Sequence, residues 1–218
     1  IVMEHKDVNP DGFPGNGLDI LGNPYGKEDP SKRKVFYADG AALFIKKDNF
    51  FKIVMFDEEL FIFQEDVDLC WRAQLMGYSI RQCWDAKFYH YSGGVVLGGA
   101  AKNKQYQTSY LRRYLNERNV IRNILKNYSF PLCIIVLFIL LSIHLAEIFI
   151  LSIAGQGKTV SCYLKAYRWN TFNIKNTLRH RKEVQRKRVV SDFVLMKRMH
   201  FDYSKLHSFL KLGFPKVE

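Results

Sequence analysis

The sequence predicts an α/β domain that is followed by an apolar helical segment and a basic helical tail. Three observations support this prediction. Short apolar strands alternate with helical patterns within residues 35–128, residues 129–154 are almost wholly apolar, and residues 155–218 are strongly basic. With 218 residues and 48% hydrophobic content, the chain can form one domain with an appendage, and it is not disordered or collagen-like.

Residues 1–34 are predicted to form loops, because they are rich in Gly, Pro, Asn and Asp, a composition typical of consecutive turns. Beyond them, short runs of apolar and β-branched residues indicate strands. Five strands are predicted on this basis, at residues 35–37, 42–45, 60–63, 79–84 and 86–91.

Two stretches of the α/β part have helical spacing. In the first, Leu69, Arg72 and Leu75 fall on one face of a helix. Carboxylates occupy its first turn, where the helix dipole favours them, and Gly77 is placed as its C-cap. Residues 105–127 mix aromatic, aliphatic and basic side chains in a pattern that predicts an amphipathic helix.

Residues 130–154 give the strongest physical signal in the chain, with 20 of 25 positions apolar. At ~1.5 Å per residue, the stretch is long enough to cross a ~30 Å hydrocarbon layer. His144 and Glu147 oppose a simple span, and basic residues on both flanks give no orientation. A span, a shallow hairpin, an in-plane helix and a buried core helix of a soluble domain all stay open.

The basic excess of the chain belongs to its tail. Residues 155–218 hold 15 Lys and Arg against 4 Asp and Glu, whereas residues 1–154 hold 18 against 17. Such a tail could bind phosphates of nucleic acid or of anionic lipid, and charge alone does not choose between them. Because the tail follows an apolar segment, we predict an anionic membrane surface as its partner, and no nucleic acid.

An acidic cluster, Glu65, Asp66 and Asp68, is the strongest candidate for chemistry. It follows an apolar run and opens a helix, so it is expected at the rim of a sheet, where α/β folds place their sites. Carboxylates that lie close together raise at least one pKa, as a general base requires. The same residues also suit plain helix capping, and both interpretations stay open at this point.

Five segments together resemble the acceptor-side half of family 2 glycosyltransferases of the rhamnosyltransferase and galactofuranosyltransferase type. They occur in consistent order and spacing, at residues 39–45, 56–58, 65–72, 77–80 and 86–90. The resemblance implies a GT-A fold, an α/β nucleotide-sugar domain that inverts configuration at the anomeric carbon. Residues 181–192 are similar to the basic end that some of these enzymes carry after a hydrophobic stretch.

The resemblance also assigns roles to residues of the acidic cluster. It implies that Asp66 is the general base that takes the proton of the acceptor hydroxyl. Glu65 would shape the electric field at Asp66 or bind the acceptor. We assign Asp68 and Arg72 instead to the start of the helix and its packing.

Four further residues receive roles in the same way. Asp39, Gly40 and Ala41 would line the acceptor cleft, where small residues let a sugar approach the backbone. His90 would help to hold a divalent cation, Mg²⁺ or Mn²⁺, on the donor diphosphate. The implied partners are a nucleotide-sugar donor and a glycan or lipid-linked acceptor, on the cytoplasmic side of a membrane, in the synthesis of a cell-envelope polysaccharide.

The chain departs from this family in one large respect. The family places a nucleotide-binding half before this region, and residues 1–38 show no pattern of that kind. We therefore expect the C-terminal half of such an enzyme, inactive alone and without most ligands of the cation. Two alternatives stay open: a non-enzymatic membrane-bound adaptor whose basic tail binds lipid or nucleic acid, and a degenerate remnant of the enzyme.

Overall fold

The protein is mostly helical, with small sheets and one long apolar helix. A computed structural model describes residues 2–4, 15–28, 35–81, 87–89, 96, 101–102 and 105–217. The described helices are α1 (Lys47–Lys52), α2 (Glu65–Leu75), α3 (Tyr110–Asn127), α4 (Phe130–Ile153), α5 (Gly157–Phe172), α6 (Ile174–Lys187), α7 (Asp192–Met196) and α8 (Ser204–Leu212). The described strands are β1 (Val2–Glu4), β2 (Gly15–Leu18), β3 (Pro24–Glu28), β4 (Lys87–Tyr89), β5 (Ala101–Lys102), β6 (Gln105–Thr108) and β7 (Lys216–Val217).

Helix α3 is the centre of the structure. Helices α2, α4, α5 and α6 all pack against it. Beside it, the indole of Trp71 makes edge contacts with Phe36 and Tyr128, with ring centroids 5.9 and 4.8 Å apart. Edge-to-face aromatic pairs of this kind add to the energy of area burial, so they fix α2 against the end of α3.

The helices predicted at the acidic cluster and at the apolar stretch are confirmed, whereas the helix predicted over residues 105–127 forms only from Tyr110, because residues 105–108 form strand β6. Helix α2 spans Glu65–Leu75, with acidic residues in its first turn, and the chain turns away at Gly77, whose φ of 86° a glycine adopts without strain. Helix α3 occupies the predicted amphipathic stretch from Tyr110, after β6. Helix α4 covers the apolar stretch, and among the described residues it is the one helix long and apolar enough to cross a membrane by length and composition.

The sheets differ from the predicted arrangement. Strands β2 and β3 form an antiparallel hairpin, and β1 pairs in parallel with β4, so the prediction of loops throughout residues 1–34 is wrong for these strands. Strands β5, β6 and β7 form a third sheet. In the part of the chain that the structure describes, each sheet therefore has two or three strands, and no larger parallel sheet is present.

Three of the five predicted strands do not form. At residues 35–37 the Phe36 N–H donates to the Asn16 carbonyl, and the Phe36 carbonyl accepts from the Gln74 side chain, so a loop replaces the strand. The predicted strand at 42–45 does not form, and residues 40–42 form a 3-10 turn. The predicted strand at 60–63 does not form either, and residues 58–60 form a second 3-10 turn. Aspartates cap both turns, which satisfies backbone N–H groups without a neighbouring strand.

The remaining two strand predictions are covered only in part. Residues 79 and 80 are not strand, and residues 82–86 lie outside the described residues. Strand β4 occupies residues 87–89 of the predicted strand 86–91, whose other positions also lie outside the described residues.

The basic tail is attached to the carboxyl end of α3. Its last carbonyls accept hydrogen bonds from three long side chains of the tail: Arg181 to Leu125 and Tyr128, Gln185 to Lys126, Asn127 and Tyr128, and Arg188 to Asn127. A helix leaves its last four carbonyls without partners in the helix, and cations near them are favoured by the dipole. Part of the tail's charge therefore serves the fold itself.

Candidate functional site

The predicted catalytic residues meet where the turn at 39–42 contacts the start of α2. The Gly40 N–H donates to Oδ2 of Asp66 over 2.9 Å, and Oδ1 of Asp39 accepts from the Ala41 N–H over 3.0 Å. A Cβ atom added at Gly40 would lie 3.5 Å from Cβ of Asp66 and 3.7 Å from Oε1 of Glu65. We call these five residues, Asp39, Gly40, Ala41, Glu65 and Asp66, the acidic site.

The two carboxyls of α2 in the acidic site have raised pKa values. Burial raises the pKa of Asp66 to about 6, and the charge of Asp39 adds to this, against the hydrogen bonds from Gly40 and Val67. Burial and the charge of Asp66 raise the pKa of Glu65 to about 7. Carboxyls tuned close to neutral pH can accept a proton from an approaching group and release it again.

Tyr37 adds a phenol next to the acidic site. Burial raises its pKa well above the ordinary value, and the charges of Asp66 and Asp39 raise it further. Because its hydroxyl stays protonated, Tyr37 can act as a hydrogen-bond donor or acceptor near the carboxylates. Gly40 and Ala41 are exposed, and Asp39, Glu65 and Asp66 are partly exposed, so the site is open to solvent on one side.

A strained loop leads into the acidic site. Phe61, Phe63 and Gln64 have φ values of 60°, 67° and 69°, in a region that side chains other than glycine rarely adopt. Such strain persists only where the surrounding structure enforces it, and it concentrates at functional sites. Here the strained residues set the direction in which Glu65 and Asp66 leave the loop.

Side chains of α3 hold this strained loop. The Asn119 amide donates to the carbonyls of Leu60, Ile62 and Phe63 at 2.9, 3.1 and 2.7 Å. Asn123 donates to the Gln64 carbonyl over 3.1 Å. The sequence analysis did not identify these positioning residues. The sequence does contain a pattern that marks them, since a basic residue followed by Asn recurs every four residues at 118–119, 122–123 and 126–127.

A buried ionic network lies behind the loop. Arg122 binds both carboxylate oxygens of Asp57, at 2.8 and 3.0 Å, and Lys126 joins Asp57 to Asp68. Arg72 completes it with a 2.9 Å bond to Asp68. Since all five side chains are at least 96% buried, the network makes Asp68 and Arg72 structural residues, as the sequence analysis assigned them.

Asp57 is held ionised by this network. Burial raises the pKa of its carboxyl, but Lys126 and Arg122 outweigh burial and place the pKa well below its usual range. The basic residues of α3 nearest the apolar helix are therefore engaged inside the protein. They are not a free flank of positive charge.

The described residues do not form a metal site. No group of three or more His, Cys, Asp or Glu side chains among them is arranged to hold an ion. Within the acidic site, both oxygens of Asp66 already accept backbone N–H bonds, and Oδ1 of Asp39 accepts another. His90, the predicted cation ligand, lies outside the described residues.

Comparisons with protein families, with curated proteins and with solved structures gave no match to this chain.

Proposed function

We propose that the chain is the acceptor-side part of an inverting, membrane-associated glycosyltransferase of the family 2 type. The observation that carries this proposal is the placement of Asp66: its carboxyl has a pKa of about 6, is bonded to Gly40, and faces a partly open turn beside Glu65. That placement suits a general base better than an ordinary helix cap, which would be solvated and acidic.

In the proposed reaction, Asp66 accepts the proton of an acceptor hydroxyl. The hydroxyl oxygen forms a bond to the anomeric carbon of the donor sugar as the bond from that carbon to the nucleoside diphosphate breaks. Glu65 keeps the pKa of the pair high or binds the acceptor, and Gly40 fixes the orientation of the Asp66 carboxylate. The donor would be a nucleotide sugar and the acceptor a glycan or a lipid-linked sugar.

A divalent cation on the donor diphosphate belongs to the same proposal. Mg²⁺ or Mn²⁺ would neutralise charge on the departing diphosphate. The described residues do not make a ligand set for such an ion, so none of the steps assigned to them depends on it. The proposed location is the cytoplasmic face of a membrane, where nucleotide sugars are available.

The test is sugar transfer by the intact protein that its gene encodes, with any upstream sequence or separate donor-binding partner included. Asp66→Asn should abolish transfer of labelled sugar while donor binding stays near the wild-type value. Glu65→Gln should reduce transfer less. Asp48→Asn, at an exposed position in the first turn of α1, is the matched control and should transfer normally.

Two results would contradict the proposal. Wild-type transfer by Asp66→Asn would remove Asp66 from the role of base. If no nucleotide sugar is bound or consumed, yet residues 155–218 bind vesicles or DNA with steep salt dependence, the adaptor hypothesis replaces the enzyme.

A further inference from the structure

We infer that α4 lies in the plane of a membrane surface, with its outer face in the lipid, and does not cross the bilayer. The inference rests on the membrane association in the proposed function, but not on sugar transfer. Three observations support it. One face of α4 packs against the protein, the opposite face exposes apolar side chains, and cations of α5 lie beside the middle of α4.

One side of α4 contacts the protein along the whole helix. Its inward positions recur every three or four residues, at Cys133, Val136, Leu140, His144, Glu147 and Leu151. This spacing is that of a single helix face. A helix with one face against the rest of the protein throughout its length is not surrounded by lipid.

His144 and Glu147, the polar pair of α4, both point into the body. Nε2 of His144 lies 3.3 Å from Oε2 of Glu117, which also binds Lys205 at 2.6 Å. The hydroxyls of Tyr163 and Tyr203 donate to the Glu147 carboxylate at 2.7 and 3.0 Å. The polar pair that opposed a membrane location is thus removed from the outer face.

The outer face of α4 is suited to hydrocarbon. It bears no charged side chain, and its large residues are exposed: Phe130, Ile134, Ile135, Phe138, Leu141, Leu145, Phe149, Ile150 and Ile153. The hydroxyls of its two serines are hydrogen-bonded within the helix: Ser142 donates to the Phe138 carbonyl at 2.9 Å and Ser152 to the Ile148 carbonyl at 2.7 Å. Without water, a hydroxyl that bonds to its own helix carries no desolvation penalty.

The orientation of α4 is decided by helix α5. Tyr163 and Tyr167 of α5 meet α4 at His144, about 21 Å along the helix from its first residue. On α5, next to these tyrosines, Lys165 and Arg168 are exposed. If α4 crossed the bilayer, these two cations would stand near the middle of the hydrocarbon layer, where Lys and Arg are among the costliest residues.

An in-plane orientation places the same cations at headgroup level. Two further segments are bonded to α4 or to the residue before it: Asp192 of α7 accepts from the Ser129 N–H, and Tyr203, which precedes α8, donates to Glu147. They expose Phe193, Phe201 and Leu210 at 70–77% and carry the exposed cations Lys197 and Lys211. Apolar groups with flanking cations match a bilayer that contains anionic lipid.

The first test measures depth. Single cysteines at Ile134, Leu141 and Ile150, all exposed on α4, would carry a fluorophore in the full chain, with wild-type labelling as background. The protein is bound to vesicles of phosphatidylcholine and phosphatidylglycerol, with bromines at several depths of the acyl chains. In-plane binding gives three equal, shallow depths. A span gives a Leu141 position about 10–14 Å deeper than the Ile134 and Ile150 positions, and this overturns the inference.

A second test asks what covers the outer face. Phe138→Asp should weaken vesicle binding roughly tenfold or more, while Phe44→Asp, at an 87% exposed aromatic outside α4, should not. If the wild-type chain does not bind vesicles but forms a dimer that Phe138→Asp disrupts, the inference is overturned. The outer face of α4 is then covered by a second copy of the chain. Lack of sugar transfer with equal depths would overturn the proposed function and leave this inference standing.

Discussion

Gly40 and Asp66, 26 positions apart in the sequence, are joined by a 2.9 Å hydrogen bond from the glycine N–H to Oδ2. The other carboxylate oxygen accepts the N–H of Val67 at 2.7 Å. These bonds favour the charged carboxylate, while burial and Asp39 favour the neutral acid. The balance leaves Asp66 with a pKa of about 6, so a proton is exchanged near neutral pH.

The charge of Asp39 should set part of that pKa. Asp39→Asn keeps a side chain able to cap the 3-10 turn but removes the negative charge. We expect the pKa of Asp66 to fall by a few tenths of a unit, and the acid limb of the transfer-rate profile to move to lower pH with it. Carbon NMR titration of the Asp66 carboxyl measures this in the folded protein; an unchanged or higher pKa would contradict the placement of Asp39.

Glu65 should lower stability at neutral pH. Its folded pKa of about 7 lies above the ordinary value of 4.5, so its contribution to stability is fully present below pH 4.5 and is lost as the pH rises through 7. Glu65→Gln lacks this loss. We expect its free energy of unfolding to exceed that of the wild type by up to about 3 kcal/mol at pH 8 and by nothing near pH 4.

Thermal melts across this pH range measure the difference directly. Asp48→Asn is the control, because its carboxylate is exposed in the first turn of α1, and its melting temperature should follow that of the wild type. A Glu65→Gln curve parallel to the wild type at every pH would mean that Glu65 ionises normally.

Asp57 should be the most sensitive acidic residue for stability. Asp57→Ala leaves Arg122 and Lys126 buried without their shared counter-charge, and such changes cost about 3–5 kcal/mol. The neighbouring exposed Glu58→Ala should stay within about 0.5 kcal/mol of the wild type. Adding Lys126→Met to Asp57→Ala should restore part of the loss in urea unfolding; no recovery would contradict the pairing.

The pH dependence of the Asp57 contribution has the opposite sign to that of Glu65. Its folded pKa is depressed, so its stabilising contribution is present above about pH 4 and is lost as the pH falls through the folded value. The Asp57→Ala variant should therefore approach the wild type in strongly acidic solution.

Asn119 should act on the acidic site through the loop before it. Asn119→Ala removes the donor shared by three loop carbonyls and should cost about 2–3 kcal/mol of unfolding free energy. Hydrogen exchange at residues 60–64 should accelerate more than in the rest of the chain. Asn116→Ala is the matched control, since among the described residues Asn116 donates to the Arg112 carbonyl of its own helix and not to the loop.

The sequence was a good guide to the helices because their signals are local. The acidic first turn of α2, the periodicity of α3 and the length of α4 each lie within one segment. The three strands predicted within residues 35–63 failed for the opposite reason. Residues 35–45 have the composition of strands, but a strand needs a partner, and here Asn16 and Gln74 took the backbone groups of Phe36.

The acidic site was predicted in part. Its carboxylates stand next to one another in the sequence, and the family resemblance implied a role in the site for residues 39–41. Asn119 and Asn123 could not be assigned from amphipathicity, because they are polar residues on a buried face of α3, where a periodicity argument expects apolar ones. Their role appears only when the distant loop at 60–64 is in place.

The bonds from the tail to the end of α3 restrict how this gene product can be shortened or rearranged. A version cut in the Gly155–Gln156–Gly157 turn would lose Arg181, Gln185 and Arg188 together, and the carbonyls at 125–128 would meet solvent beside the core. The helix that carries Asn119 would then fray from its carboxyl end. Any recombination that exchanges the tail must also supply these donors.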